Sequence, residues 1–101
     1  MQAQVQQQNG KSVIRLEGRF DFNAHRTFRE AYEPALGLPD ISEFEIDFGK
    51  VEYLDSSALG MLLMLKEKAQ VSGKTVALVN CRGTAKQVLE IANFGKLFVM
   101  R

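Results

Sequence analysis

The spacing of apolar residues switches between a period of two and a period of 3.6 several times along this chain, so it must fold as a sheet layered with helices. The first switch is the clearest. Gln4 to Gln8, Asn9-Gly10 and Ser12 to Gly18 read as a β-hairpin, because Asn-Gly supplies the positive φ angles of a tight I′ turn. In the second arm Ile14 and Leu16 share one face, while Arg15 and Glu17 take the other. Residues 23–33 then read as a helix with Asn23 as N-cap. Phe28, Ala31, Tyr32 and Ala35 form its buried stripe, and Pro34 should end or bend it.

Glu43 to Phe48 alternates and reads as a strand with Phe44, Ile46 and Phe48 inward. Ser56 to Ser72 carries the strongest helical pattern, closed by Gly73. Thr75 to Val79 is a continuous apolar run, expected to be a strand covered on both faces. Thr84 to Ala92 is a third helix, ended by Asn93-Phe94-Gly95, and Leu97 to Met100 a last short strand. The order β-β-α-β-α-β-α-β implies an α/β fold with a mixed four- to five-stranded sheet, an N-terminal hairpin and helices mainly on one face.

Length and charge restrict function. A chain of 101 residues suggests a single domain over 1–101. It holds 46% hydrophobic and 25% charged residues, and its formal net charge is +1. No global field draws it to nucleic acid or to an anionic membrane. Cys81 is the only cysteine, which excludes an intramolecular disulfide and fits a reducing cytoplasm. The start has neither a basic region nor an apolar run, so no leader peptide is expected. The longest apolar stretch, Ala58 to Leu65, is far short of the ~20 residues that span a bilayer. We expect a cytoplasmic protein.

Three motifs invite a chemical reading. Tyr53-Leu54-Asp55-Ser56-Ser57-Ala58-Leu59-Gly60 lies where a strand passes into the main helix, and Asp and Ser there are ordinary capping residues. A serine nucleophile fits poorly: the G-x-S-x-G elbow is absent, and the only histidine, His25, lies on the polar side of the first helix. Gly73-Lys74-Thr75 looks like the tail of a P-loop, but Lys68 stands where the first glycine is required and a strand follows instead of a helix. Arg82-Gly83-Thr84 before the third helix could hold an anion, although a capped helix with a surface arginine is the simpler reading. One His and one Cys argue against a metal site. No cofactor is expected.

The main helix has two apolar faces. At about 100° per residue, Ala58, Met61, Leu62, Leu65 and Ala69 form one complete core face. Gly60, Leu63, Met64 and Glu67 fall opposite. Large apolar residues on a solvent face mark either a covering loop or a partner-docking surface, and methionine suits the latter because it is flexible and polarizable.

Leu16-Glu17-Gly18-Arg19-Phe20-Asp21 resembles the Leu-x-Gly-x-hydrophobic-Asp signature of STAS domains. Leu54-Asp55-Ser56-Ser57-Ala58-Leu59-Gly60 resembles the phosphorylation loop of anti-sigma factor antagonists, although family members often carry Gly where Ala58 stands. The resemblance extends to Val88-Leu89-x-x-Ala92-Asn93-Phe94-Gly95. Gly18 to Phe22 and Ala58 to Met64 look most like the HsbA branch. It implies a STAS fold and a partner switch. The unphosphorylated protein would bind an anti-sigma factor, often itself a Ser kinase, and so free a sigma factor. Phosphorylation of Ser56 would block binding, and a PP2C-type phosphatase would reverse it. Asp21, Asp55, Ser56, Ser57, Gly60, Leu63, Met64 and Glu67 would form the partner surface. Asp21 would lie near the loop, and Asp55 would position Ser56. The free protein is expected to be a monomer. The alternative is a constitutive STAS interaction module that is never phosphorylated.

Overall fold

The computed structural model describes all residues, Met1–Arg101. Strand β1 (Gln2–Gln8) pairs antiparallel with β2 (Lys11–Phe20). A 3-10 turn, Phe22–Ala24, leads into α1 (His25–Leu36). Then come β3 (Glu43–Leu54), α2 (Ser56–Val71), β4 (Thr75–Val79), α3 (Gly83–Ile91), a 3-10 turn at Phe94–Lys96 and β5 (Val99–Met100). Asn9 and Gly10 have φ of 51° and 77°, as the I′ hairpin requires.

The strands lie in sequence order, β1-β2-β3-β4-β5, and β2 to β5 run parallel. Each crossover therefore advances the sheet in one direction. Right-handed crossovers that never reverse direction put every helix on the same face. All three helices accordingly share one core with the sheet. Phe28 and Tyr32 of α1, Leu62 and Leu65 of α2, and Leu89 of α3 pack with Ile14, Phe44, Ile46 and Leu78 of the strands. An aromatic cluster joins α1 to the sheet, with Phe20 and Phe28 centroids 5.0 Å apart and Phe28 and Tyr32 5.3 Å apart.

The opposite sheet face is bare of helices, so β4 is not covered on both sides as its apolar run suggested. Ala77 and Val79 face that way and are nevertheless buried. Ala77 is small and sits in register between Glu45 and Val99. Around it runs an ionic lattice: Lys11 reaches Glu43 at 3.4 Å and Glu45 at 3.3 Å, and Arg101 reaches the same pair at 2.9 and 3.1 Å. The stems of these long side chains cover apolar surface that a helix would otherwise cover.

Three local expectations are corrected. Asn23 does not cap a helix; it lies inside the 3-10 turn, and Asp21 is the capping residue. Pro34 does not end α1, which continues to Leu36. Pro34 is exposed in the last turn, where its ring interrupts a single intrahelical bond, the one to the Glu30 carbonyl. Strand β3 does not stop at Phe48 but reaches Leu54. It carries extra residues between the pairs Arg15↔Asp47 and Glu17↔Lys50, and again between Gly18↔Val51 and Arg19↔Tyr53. Such bulges break the period-two pattern from which a strand is read.

Two motifs also find structural uses. Gly73, at φ 72°, closes α2. Lys74 N–H donates to Ala69 O and Gly73 N–H to Gln70 O, the paired bonds of a Schellman cap. Lys74 itself is buried, and its Nζ donates to the carbonyls of Leu38 (2.7 Å) and Ile41 (2.5 Å), tying the α1–β3 loop to the start of β4. Arg82 caps nothing with its side chain; it donates to the Gly49 carbonyl at 2.7 Å, holding the first β3 bulge.

Candidate functional site at the ends of β2 and β3

Strands β2 and β3 end side by side at the pair Phe20↔Leu54. The next residue in each is an aspartate. Asp55 N–H donates across to Phe20 O at 3.4 Å, which keeps the two ends together. Asp55 then caps α2: its Oδ1 accepts from Ser57 N–H at 3.0 Å and from Ala58 N–H at 3.3 Å. These are N–H groups that a helix start leaves without a partner. Asp21 does the same for the 3-10 turn, accepting from Asn23 N–H at 3.0 Å.

Ser56 is the first residue of α2 and is exposed, whereas Ser57 is half-buried. The Asp55 cap therefore presents one serine outward and turns its neighbour in. Beyond Ser56, the angular division of α2 holds. Ala58, Met61, Leu62, Leu65 and Ala69 are buried, while Gly60, Leu63, Met64 and Glu67 are exposed. Leu63 is 37% and Met64 45% exposed. Apart from its chain neighbours and the nearby backbone of its own helix, no atom lies within 4 Å of where a Gly60 Cβ would stand. Nothing inside the chain thus requires a glycine there, although glycine inside a helix costs about 0.5–1 kcal/mol relative to alanine.

Phe22 escaped the sequence reading. It follows Asp21, belongs to the 3-10 turn against α2, and is 69% exposed. Starting the helix at residue 23 left Phe22 in a featureless connection. The available signal was its position: a large aromatic directly after a capping aspartate, two residues beyond the last strand residue. Arg19 completes the rim. Its guanidinium lies 3.7 Å from the Asp21 carboxylate and 4.1 Å from the centre of the Tyr53 ring. The site thus joins acidic groups, an outward hydroxyl and exposed apolar side chains. A polar cleft of about 500 Å³, lined by Arg15, Asp47, Asn80 and Arg82 among others, does not include Ser56.

No helix is long and apolar enough to cross a membrane. The fold is similar to solved anti-sigma factor antagonists. A putative antagonist from Thermotoga maritima matches with a TM-score of 0.85 at 16% identity, covering 97% of this chain and 84% of that one. The Bacillus cell fate determinant SpoIIAA in its phosphorylated form matches with a TM-score of 0.74 at 21% identity, covering 98% and 90%. In sequence, a STAS-domain containing protein of Pseudomonas aeruginosa (strain UCBPP-PA14) is 44% identical over 86 residues, 85% of this chain and 83% of that protein. The family model described as "Mlab, STAS domain" matches residues 3–100. With the capping aspartates, the one-sided helical layer and this match along nearly the whole chain, the protein belongs to the STAS domain family.

Proposed function

We propose that the protein is an anti-sigma factor antagonist, a non-enzymatic partner switch controlled by phosphorylation of Ser56. The observation that carries this reading is the exposed Ser56, set directly after the Asp55 cap at the start of a helix that also exposes Leu63 and Met64 about two turns on. Unphosphorylated, the surface of Asp21, Asp55, Ser56, Ser57, Gly60, Leu63, Met64 and Glu67 docks an anti-sigma factor, itself a Ser kinase in many such systems. A PP2C-type phosphatase restores that state.

The local geometry supports a switch that acts on binding and spares the fold. Asp55 Oδ1 already occupies the N–H groups of Ser57 and Ala58. A phosphate on the exposed Ser56 therefore gains nothing from those two amides. It adds about −1.5 to −2 charge. Repulsion from Asp55 costs the free protein about 1 kcal/mol in water. At a docked interface the same charge, left unpaired, costs several kcal/mol, and each 1.4 kcal/mol is about tenfold in affinity.

A pull-down from the native cytoplasm with wild type and Ser56→Asp, joined to phosphopeptide mapping, tests this reading. The switch requires a partner retained by wild type and lost by Ser56→Asp, with phosphate on Ser56. A partner retained equally by both, with no phosphate found, would instead identify a constitutive STAS interaction module.

A further inference from the structure

We propose that two copies of this chain associate through β1, joining their sheets edge to edge about a two-fold axis. Strand β1 is an outer strand of the sheet and pairs only with β2. It is seven residues long, reads QAQVQQQ, and contains no charge and no proline. Free edges of this length ordinarily carry lysine, proline or a bulge to prevent pairing. The opposite edge is built differently: β5 has two residues, followed by Arg101 held between Glu43 and Glu45.

The hairpin fixes which β1 groups are free. In a two-residue I′ hairpin the residues flanking the turn form a hydrogen-bonded pair. Gln8 is so paired with Lys11, and the register then carries Gln6 to Val13, Gln4 to Arg15 and Gln2 to Glu17. These glutamines direct their backbone groups at β2. Ala3, Val5 and Gln7 direct theirs at solvent.

Antiparallel pairing of this edge with itself, centred on Val5, sets Val5 against Val5 of the second copy and Ala3 against Gln7. Every outward N–H and C=O of Ala3, Val5 and Gln7 then has a partner in a single register. Gln4 meets Gln6 of the second copy on the open face, where each side-chain amide both donates and accepts. Val5 lies on the helix side opposite Ile14 and is 47% exposed; pairing brings a second valine over it. An uncharged edge is self-complementary, as a two-fold contact must be, and a net charge of +1 adds little repulsion. Pairing of β1 with β5 would propagate as a filament, but β5 offers too short a template. The monomer expected of the free protein is therefore the dissociated form.

Sedimentation equilibrium of the full chain, from low micromolar to millimolar concentration, reads the association. Wild type should pass from monomer to dimer as concentration rises. Val5→Lys and Val5→Glu each place like charges opposite one another, and each alone should weaken dimerisation by about tenfold or more. An equimolar mixture of the two should recover it, because position 5 faces position 5 across the axis. Gln7→Pro, which removes an outward N–H that β2 does not use, should also weaken it. Thermal melts of each variant verify the fold. A wild type that stays monomeric to millimolar concentration overturns the proposal. So do variants that dimerise as wild type does, or a mixture that shows no recovery.

Discussion

Asp21 and Asp55 occupy equivalent positions one residue beyond the Phe20↔Leu54 pair, and they share a backbone conformation: φ −123°, ψ −169° for Asp21 and φ −124°, ψ −172° for Asp55. Each turns its carboxylate back onto the N–H groups of the turn that follows it. Two neighbouring parallel strands thus end in the same device, one supporting Phe22 and the other Ser56.

Asp55→Ala should destabilise the fold by about 1 kcal/mol, since two N–H groups of α2 lose their acceptor. Asp55→Asn keeps an acceptor oxygen and removes the charge, so it should melt close to wild type. Chemical denaturation of the two variants separates capping from charge. Equal loss in both would contradict the cap as the main role.

Gly60→Ala should stabilise the protein by about 0.5–1 kcal/mol, because the added methyl meets no atom beyond its chain neighbours and the nearby backbone of its own helix, and the helix gains propensity. On the proposed docking surface the same methyl should weaken partner binding. A melting curve and a binding titration report the two effects independently, and a stabilised variant with unchanged affinity would remove Gly60 from the interface.

Met64→Asp should leave the melting temperature nearly unchanged, as Met64 is 45% exposed, and should weaken partner capture by about tenfold or more. Leu62→Asp, at a fully buried position of the same helix, should unfold the protein and serves as the contrast.

Ser12→Ala should be neutral or stabilising by up to about 1 kcal/mol. Ser12 is fully buried, and its Oγ has no hydrogen-bond partner, so the substitution removes a desolvated hydroxyl at no cost in bonds. Urea denaturation provides the measurement. A clear destabilisation would show that the hydroxyl is satisfied after all.

Burial, helped by the nearby Asp47 carboxylate, pushes the Cys81 thiol from its ordinary 9.0 to about 11. At neutral pH the reactive thiolate should therefore be about a hundredfold scarcer than in the unfolded chain. Alkylation by iodoacetamide should be correspondingly slow in the native protein and rapid in denaturant. Fast labelling of the folded form would contradict the assigned environment.

The amino-acid sequence by itself determined the order of the elements, the Asn9-Gly10 hairpin, the two faces of α2 and the family motifs. Each is written within a window of a few to about sixteen residues, where periodicity and turn chemistry act locally. Only the tertiary structure decided what depended on a neighbour across the sheet. Asp21 displaced Asn23 as the cap because Phe20 pairs with Leu54, fixing where the chain leaves the sheet. Strand β3 ran on to Leu54 because β2 continued beside it, with bulges absorbing the mismatch that erased the alternation. The apolar run of β4 gave no sign that one face would lack a helix, since side chains from β2, β3 and the C-terminus lie over it instead. The sequence already argued against a P-loop at Lys74, but that its ammonium is buried on the Leu38 and Ile41 carbonyls came only from the fold. A residue's period is set by its own strand or helix. Its partners are set by how those elements assemble, and caps, bulges and buried charges belong to that second level.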